Sequence, residues 1–193
     1  MMIGYILLAI LVVAGLWAVA TYNGLVRRKN MVAEGWSGIE TQLKRRANLI
    51  PNLVETVKGY ATHERQTFDE LTQLRSTGQS QAVNGTPGQA DVAKRAQTEQ
   101  AITAMIGKVM AVAEAYPDLK ASANFQSLQN DLAETEDQIQ LSRRYYNGAV
   151  RDFNVMIEQF PSNLVANMGG FKQAAFFEIS DPADRAVPKV SLS

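Results

Sequence analysis

The chain begins with a long uncharged stretch that is followed at once by a basic cluster. No side chain in residues 1–26 is charged, and the next three residues are Arg27, Arg28 and Lys29. Residues 2–20 supply roughly the 20 apolar residues that a helix needs to cross the core of a bilayer. A segment in hydrocarbon must satisfy its own backbone polar groups, so the sequence predicts a membrane-spanning helix. The residues assigned to this span include Met2, Ile3, Tyr5, Leu8, Leu11, Val13, Leu16, Trp17 and Ala20.

The same basic cluster predicts the orientation of the span. Lys and Arg close to a membrane helix favour the cytoplasmic side, so the N-terminus is expected outside and the remainder in the cytoplasm. A cleaved signal peptide is the alternative, because Ala18-Val19-Ala20 has the form of a cleavage site. Against that alternative, no basic residue precedes the apolar stretch, which is also longer than a signal peptide usually requires. An anchored, cytoplasmic domain is favoured over an exported one.

Composition excludes several classes of function. The sequence has no cysteine, which rules out disulfides, thiolate catalysis and Cys-based metal sites. The 19 basic residues balance the 19 acidic ones, so no global field favours nucleic acid as a partner. His63 is the only histidine, and Thr67 stands where a zinc protease motif needs a second one. We therefore predict no enzyme activity, no cofactor and no metal, with a cryptic hydrolase using His63-Glu64 as a remote alternative.

Hydrophobic periodicity predicts an all-α fold. Residues 32–43 show apolar side chains at helical spacing, and no strong breaker separates them from the span. Pro51 is expected either to kink this helix or to open a new one that runs to about Arg75. A further helix is expected from Asp91 to Tyr116. The predicted architecture is an N-terminal transmembrane helix that continues into an antiparallel bundle of three to four long helices.

The last helix carries apolar or aromatic residues at seven-residue intervals from Phe125 to Phe160. Such a stripe is typical of coiled-coil-like packing, within the chain or against a second subunit. The predicted bundle core comprises Trp36, Leu43, Leu53, Tyr60, Phe125, Leu132, Ile139, Tyr146, Phe153 and Phe160.

These elements predict three regions along the chain. Residues 1–26 form the anchor and residues 27–179 the helical bundle. Residues 76–91, which are rich in Gly, Ser and Gln, are expected to form a flexible loop inside the bundle. Residues 180–193 contain two prolines and are expected to form a loosely ordered tail.

Basic residues after the span form the candidate binding surface. If the first helix is continuous, residues 27 and 45 share a face roughly 27 Å apart along the axis. This surface would bind anionic lipid or an acidic partner. Pairing with acidic side chains of the last helix is an equally weighted alternative. The residues concerned are Arg27, Arg28, Lys29, Lys44, Arg45 and Arg46.

Several segments together resemble the LemA family of bacterial membrane proteins. They are residues 22–26 (YNGLV), 34–39 (EGWSGI), 42–46 (QLKRR), 49–54 (LIPNLV), 57–64 (VKGYATHE), 116–121 (YPDLKA), 144–147 (RYYN), 160–163 (FPSN) and 176–178 (FFE). The resemblance implies a span with its N-terminus outside the bacterial inner membrane, a cytoplasmic helical bundle and no established catalytic activity. A relative in magnetotactic bacteria takes part in building magnetosome membranes, which favours membrane organisation.

Two functions follow as hypotheses. The first is a non-enzymatic, membrane-anchored scaffold that forms homo-oligomers and organises or remodels the bacterial membrane through its lipids. The second is an adaptor that presents partners to a membrane protease or signalling protein, motivated by the flexible loop and the tail.

Overall fold

The computed structural model describes residues 1–61 and 64–178, and these residues form helices without any strand. The helices are α1 (Met2–Lys58), α2 (Arg65–Ser80), α3 (Gln89–Ala113), α4 (Pro117–Lys120), α5 (Ala123–Glu158) and α6 (Ser162–Met168). The predicted all-α class is therefore confirmed. His63, residue 179 and the tail at 180–193 lie outside the described residues.

α1 is one uninterrupted helix of 57 residues, about 86 Å long. It passes through Pro51, which is solvent-exposed, so neither a new helix nor a break begins there. The helix ends instead at Lys58, and the chain turns before α2 begins at Arg65. The expectation of a single helix from Pro51 to about Arg75 is therefore wrong.

The two ends of α1 have opposite surroundings. Residues 1–17 are exposed along their whole length, and a Cβ built on Gly4 or Gly15 meets no atom within 4 Å. Burial against the rest of the chain becomes regular only from Leu25 onward. Among the described residues, α1 is the one helix that is long and apolar enough to cross a membrane.

α5 packs against α1 in the antiparallel direction. A Cβ built on Gly24 would lie 2.9 Å from Met156 Cε, and one built on Gly35 would lie 3.0 Å from Tyr146 Cα. Later residues of α1 therefore contact earlier residues of α5. Gly35 has no side chain to separate the two backbones, so the helices approach closely at this point.

The bundle has two hydrophobic cores in succession along α1. The core nearer the apolar N-terminal segment, here called the proximal core, contains Leu25, Val32, Trp36, Ile39, Leu43, Val92, Ala96, Ile139, Tyr146, Ala149, Val150, Phe153, Ile157, Ala166 and Phe177. The distal core contains Ile50, Leu53, Val57, Ala61, Phe68, Leu71, Ile102, Met105, Val109, Ala113, Leu119, Phe125, Leu128 and Leu132.

An extended segment after α6, residues 171–178, closes the proximal core. Two asparagines of α5 hold it through paired hydrogen bonds. The Asn154 amide accepts from the backbone N–H of Ala174 at 2.9 Å and donates to its carbonyl at 2.9 Å. Asn147 makes the same pair of bonds to Phe177, at 2.9 and 3.2 Å. The backbone groups of Ala174 and Phe177 are thereby satisfied without a neighbouring strand.

The loop expected at 76–91 is shorter than predicted. α2 continues to Ser80 and α3 begins at Gln89, which leaves residues 81–88 as the connection. The Arg95 guanidinium donates to the carbonyl of Gly78 near the end of α2, where carbonyls lack helical partners. Trp36 Nε1 donates to the Val83 carbonyl at 3.1 Å, so the connection is tied to α1.

Two predicted core residues are exposed. Tyr60 is 45% exposed and Phe160 is 75% exposed. Each lies just after a helix ends, Tyr60 beyond Lys58 and Phe160 beyond Glu158, so the helical periodicity no longer sets its direction. The other predicted core residues are buried, namely Trp36, Leu43, Leu53, Phe125, Leu132, Ile139, Tyr146 and Phe153. The α5 stripe packs on α1 of the same chain.

Candidate functional site

A layer of charged side chains separates the proximal core from the distal core. Arg46 of α1 is only 3% exposed. Its guanidinium pairs with the carboxylate of Glu99 on α3 and donates to Glu136 Oε2 on α5 at 2.7 Å. It also donates to Thr103 Oγ1 at 2.8 Å. An isolated buried charge is costly, so these partners make burial of the guanidinium tolerable.

A second buried guanidinium extends the layer. Arg95 of α3 pairs with Glu40 Oε2 of α1 at 3.0 Å and with Glu99 Oε1 at 3.0 Å. Its third partner is the carbonyl of Gly78 in α2. We call Glu40, Arg46, Arg95, Glu99 and Glu136 the charged layer; it links all four long helices in one network.

The charged layer is electrostatically strained at Glu40. Burial raises the pKa of its carboxyl above the ordinary value, and Arg95 opposes this shift while Glu99 adds to it. The charged form of Glu40 is therefore less favourable in the fold than in water. In the proximal core, burial also raises the pKa of the Tyr146 hydroxyl to about 12, so that it stays protonated and donates to Ala175 O at 2.8 Å.

A cavity of about 410 Å³ opens beside the layer, between α1, the end of α2 and α3. Glu40, Arg46, Arg95 and Glu99 contribute to its wall, and Lys44 is exposed beside it. The Arg46 and Arg95 guanidiniums of the wall are paired with carboxylates of the protein, and Arg75 Nε donates to the Ala47 carbonyl at 2.7 Å. These partners favour a structural role for this layer. Within the described residues, no group of three His, Asp or Glu side chains is placed to hold a metal ion.

The predicted basic surface is divided by the fold. Arg46 is buried in the charged layer, so its assignment to an accessible binding face is wrong. Arg45 is exposed and pairs with Glu134 of α5 at 3.3 Å. For these two residues the alternative of pairing with acidic side chains of the last helix is what the structure shows. The remaining residues of the set are Arg27, Lys29 and Lys44, which are exposed, and Arg28, which is partly buried.

Sequence reasoning missed the partners of Arg46, although one signal was present. Arg95 lies seven residues before Ile102, on the continuation of the apolar face of α3. Glu99 lies three residues before Ile102 and shares that face. Charged residues of opposite sign on a face that is otherwise apolar indicate a buried ion pair. Their partners on α1 and α5 follow only from the packing of the helices.

These observations define a class of protein: an all-α bundle built on a single rod-like helix whose N-terminal part is apolar and unpacked, with an ionic layer between two cores. The sequence model of the LemA family matches residues 35–192, and the chain belongs to the LemA family.

Individual relatives support this assignment. The chain is 26% identical over 184 residues to magnetosome protein MamQ 2 of Paramagnetospirillum magneticum. The aligned region covers 86% of this chain and 68% of the relative. It is 28% identical over 159 residues to protein LemA of Metamycoplasma hominis, with coverage of 82% and 69%. It is also 24% identical over 184 residues to magnetosome protein MamQ of Magnetospirillum gryphiswaldense, with coverage of 86% and 68%.

Proposed function

We propose that this protein is a non-enzymatic scaffold, anchored in the bacterial inner membrane, that self-associates and organises or remodels that membrane. Its N-terminus lies outside and its bundle lies in the cytoplasm. Membrane lipids and further copies of the chain are its main partners. The observation that carries the proposal is the continuity of α1, which joins an unpacked apolar segment to the bundle without a hinge.

Anchoring is supported by the contrast along α1. Burial of apolar surface is the main driving force for folding in water, yet residues 1–17 are exposed on all sides. A bilayer supplies the apolar environment that the chain itself does not. Arg27 and Lys29 are exposed just beyond the segment, where basic residues favour the cytoplasmic face. The relatives named magnetosome proteins also favour a role at a membrane.

Self-association is supported by a groove of about 380 Å³ on the outer surface between α1 and α5. Leu141 and Tyr145 lie on α5 at four-residue spacing, and each is about half exposed. On the α1 side the groove is lined by Gly38 and the exposed Glu34, with the buried Gly35 beneath Tyr145. Small residues beside exposed apolar side chains allow a second helix to approach closely, and the occupant we propose is a second copy of this chain.

The proposal is tested by measuring the mass of the full-length chain in mild detergent by light scattering, with electron micrographs of the same fraction. We expect a large, regular assembly. Leu141→Glu should dissociate it, because the new carboxylate is unpaired in an apolar contact. Asn130→Glu adds the same charge to an exposed position of α5 and should leave the assembly intact.

A monomer at all concentrations would contradict the scaffold. The adaptor is then the remaining candidate, and crosslinking in native membranes should trap a different membrane protein. The adaptor hypothesis is motivated by the flexible loop and the tail. The structure shortens the loop to residues 81–88 and ties it to Trp36, which weakens the first reason. The tail lies outside the described residues.

A further inference from the structure

The corner between α5 and α6 lies level with the end of the predicted span. Met156 contacts α1 at Gly24, and the antiparallel direction of α5 carries the following residues toward the N-terminal end of α1. After α6, the Phe171 ring packs edge-to-face on the Tyr22 ring, with the centroids 5.5 Å apart. Tyr22 is only about 3 Å beyond Ala20 along the helix axis. α6 is therefore held at the level where α1 is expected to leave the bilayer.

α6 presents one face to the bundle and another outward. Ala166 is fully buried, and Val165 packs against the proximal core. Leu164 is 53% exposed and Met168 is 91% exposed, and their four-residue spacing places them on one side of the helix. Phe160, in the turn before α6, is exposed as well. Three large apolar side chains thus project from the corner, each with more than half of its surface uncovered by the described residues.

The corner with the exposed apolar side chains is also free of charged side chains. Residues 159–171 contain no charged side chain, while Glu158 precedes them and Lys172 follows. Polar groups of the stretch are amides and hydroxyls such as Asn163, Asn167 and Ser162, which suit the headgroup region. A short uncharged segment with an apolar outer face is suited to lie in the plane of a membrane interface.

We propose that the bilayer covers this corner: Phe160, Leu164 and Met168 insert into the boundary between headgroups and acyl chains. The inference rests on the anchoring part of the proposed function and adds a second point of membrane contact to the span. Two contacts, one along α1 and one beside it, fix the bundle's angle to the membrane. A single span would leave the bundle free to rotate about α1.

The absence of native cysteine allows a direct test with single labels on the full-length chain. Met168→Cys and Leu164→Cys each receive an environment-sensitive fluorophore, and the protein is placed in phosphatidylcholine vesicles with or without a shallow spin-labelled phosphatidylcholine. We expect emission at both sites to shift to the blue. We also expect about a twofold drop with the spin-labelled lipid, because an interfacial helix buries its apolar face roughly 5–10 Å deep.

Tyr60→Cys is the matched control, since Tyr60 is also an exposed large side chain of the bundle and lies outside the proposed self-association groove. It follows Lys58, which is roughly 57 Å beyond Ala20 along α1, so its label should not be quenched. Emission at Met168→Cys and Leu164→Cys that resembles the Tyr60→Cys control would overturn the inference. So would a blue shift that depends on protein concentration without lipid quenching, because a second copy would then be the cover.

A label at Leu11→Cys, measured with a spin label deep in the acyl chain of phosphatidylcholine because Leu11 is at the middle of the predicted span, separates this inference from the proposed function. Quenching at Leu11→Cys with no quenching at Met168→Cys or Leu164→Cys leaves the anchor standing and removes the corner contact. No quenching at Leu11→Cys removes both. Quenching at Met168→Cys and Leu164→Cys in vesicles, from a chain that light scattering shows to be monomeric, supports the corner contact while contradicting the scaffold.

Discussion

The proximal and distal cores are built on the same pair of long helices, yet they are closed by different means. The proximal core is aromatic: the Trp36 ring lies edge-on to Tyr146 and Phe177, with centroids 5.5 and 5.8 Å apart. Its cover includes the closing segment, residues 171–178. The distal core is largely aliphatic and is covered by α2 and α3. Two long helices alone leave their outer faces open. α3 contributes to both cores, whereas the closing segment covers the proximal core and α2 the distal core.

The charged layer marks the boundary between the two halves. A shift of one helix along another would separate Arg46 from Glu99 and Glu136, leaving buried charges without partners. Apolar stripes alone tolerate such shifts more easily, since one aliphatic contact resembles the next. We interpret the layer as a device that fixes the register in which each cover meets its core.

The largest expected effect comes from removing the centre of this layer. Arg46→Leu should lower the free energy of unfolding by about 3–5 kcal/mol, because Glu99 is left buried with one partner fewer. Thermal unfolding followed by circular dichroism in mild detergent measures the loss. Arg45→Leu is the matched control, since its exposed ion pair contributes about 0–1 kcal/mol. Equal destabilisation by both variants would refute the assigned importance of burial.

A smaller effect should be confined to the proximal core. Asn154→Ala removes both hydrogen bonds to Ala174, and unsatisfied groups of this kind cost about 1–3 kcal/mol. Hydrogen exchange should then accelerate in residues 171–178 while α2 keeps its protection. Asn130→Ala, at an exposed position of the same helix, should change neither. Uniform acceleration across both cores would mean that they do not open separately.

The pH dependence tests the strained carboxylate in the charged layer. The pKa of Glu40 is raised in the fold, so the folded state binds its proton more tightly than the unfolded state. The contribution of Glu40 to stability is therefore present below the ordinary carboxyl pKa and is lost as the pH rises through the raised pKa. Relative to Glu40→Gln, the wild-type melting temperature should increase as the pH is lowered through that range. A difference that is flat with pH, or of opposite sign, would contradict the raised pKa.

The smallest effect is expected at the edge of the distal core. Tyr60→Ser should change the free energy of unfolding by no more than about 0.5 kcal/mol, because the side chain is half exposed beyond the end of α1. Phe68→Ala in the same region removes a buried ring and should cost about 3–5 kcal/mol. Comparable losses from the two substitutions would place Tyr60 back in the core.

Periodicity and composition predicted much of this fold, for reasons visible at particular residues. The apolar spacing of Trp36 and Leu43, and the seven-residue stripe through Ile139 and Phe153, select helices and their buried faces. Prediction failed where helices end. Gly59 follows Lys58 and Pro161 lies three residues after Glu158, and such residues mark helix ends only to within a few positions. The periodicity therefore extends to Tyr60 and Phe160, although the helices end before them. The charged layer was harder to predict, because in the sequence Arg46 is one of three consecutive basic residues, and nothing local distinguishes it from Arg45.

The sequence by itself determined that the chain is helical, that residues 2–20 are apolar enough to span a bilayer, and that Cys-based chemistry is excluded. Those properties depend on local composition and spacing. Only the tertiary structure decided that Arg46 is buried while Arg45 is exposed, that α1 continues through Pro51, and that Phe171 packs on Tyr22. The reason is physical: burial, ion pairing and register depend on which helix faces which, and residues far apart in the chain set those contacts.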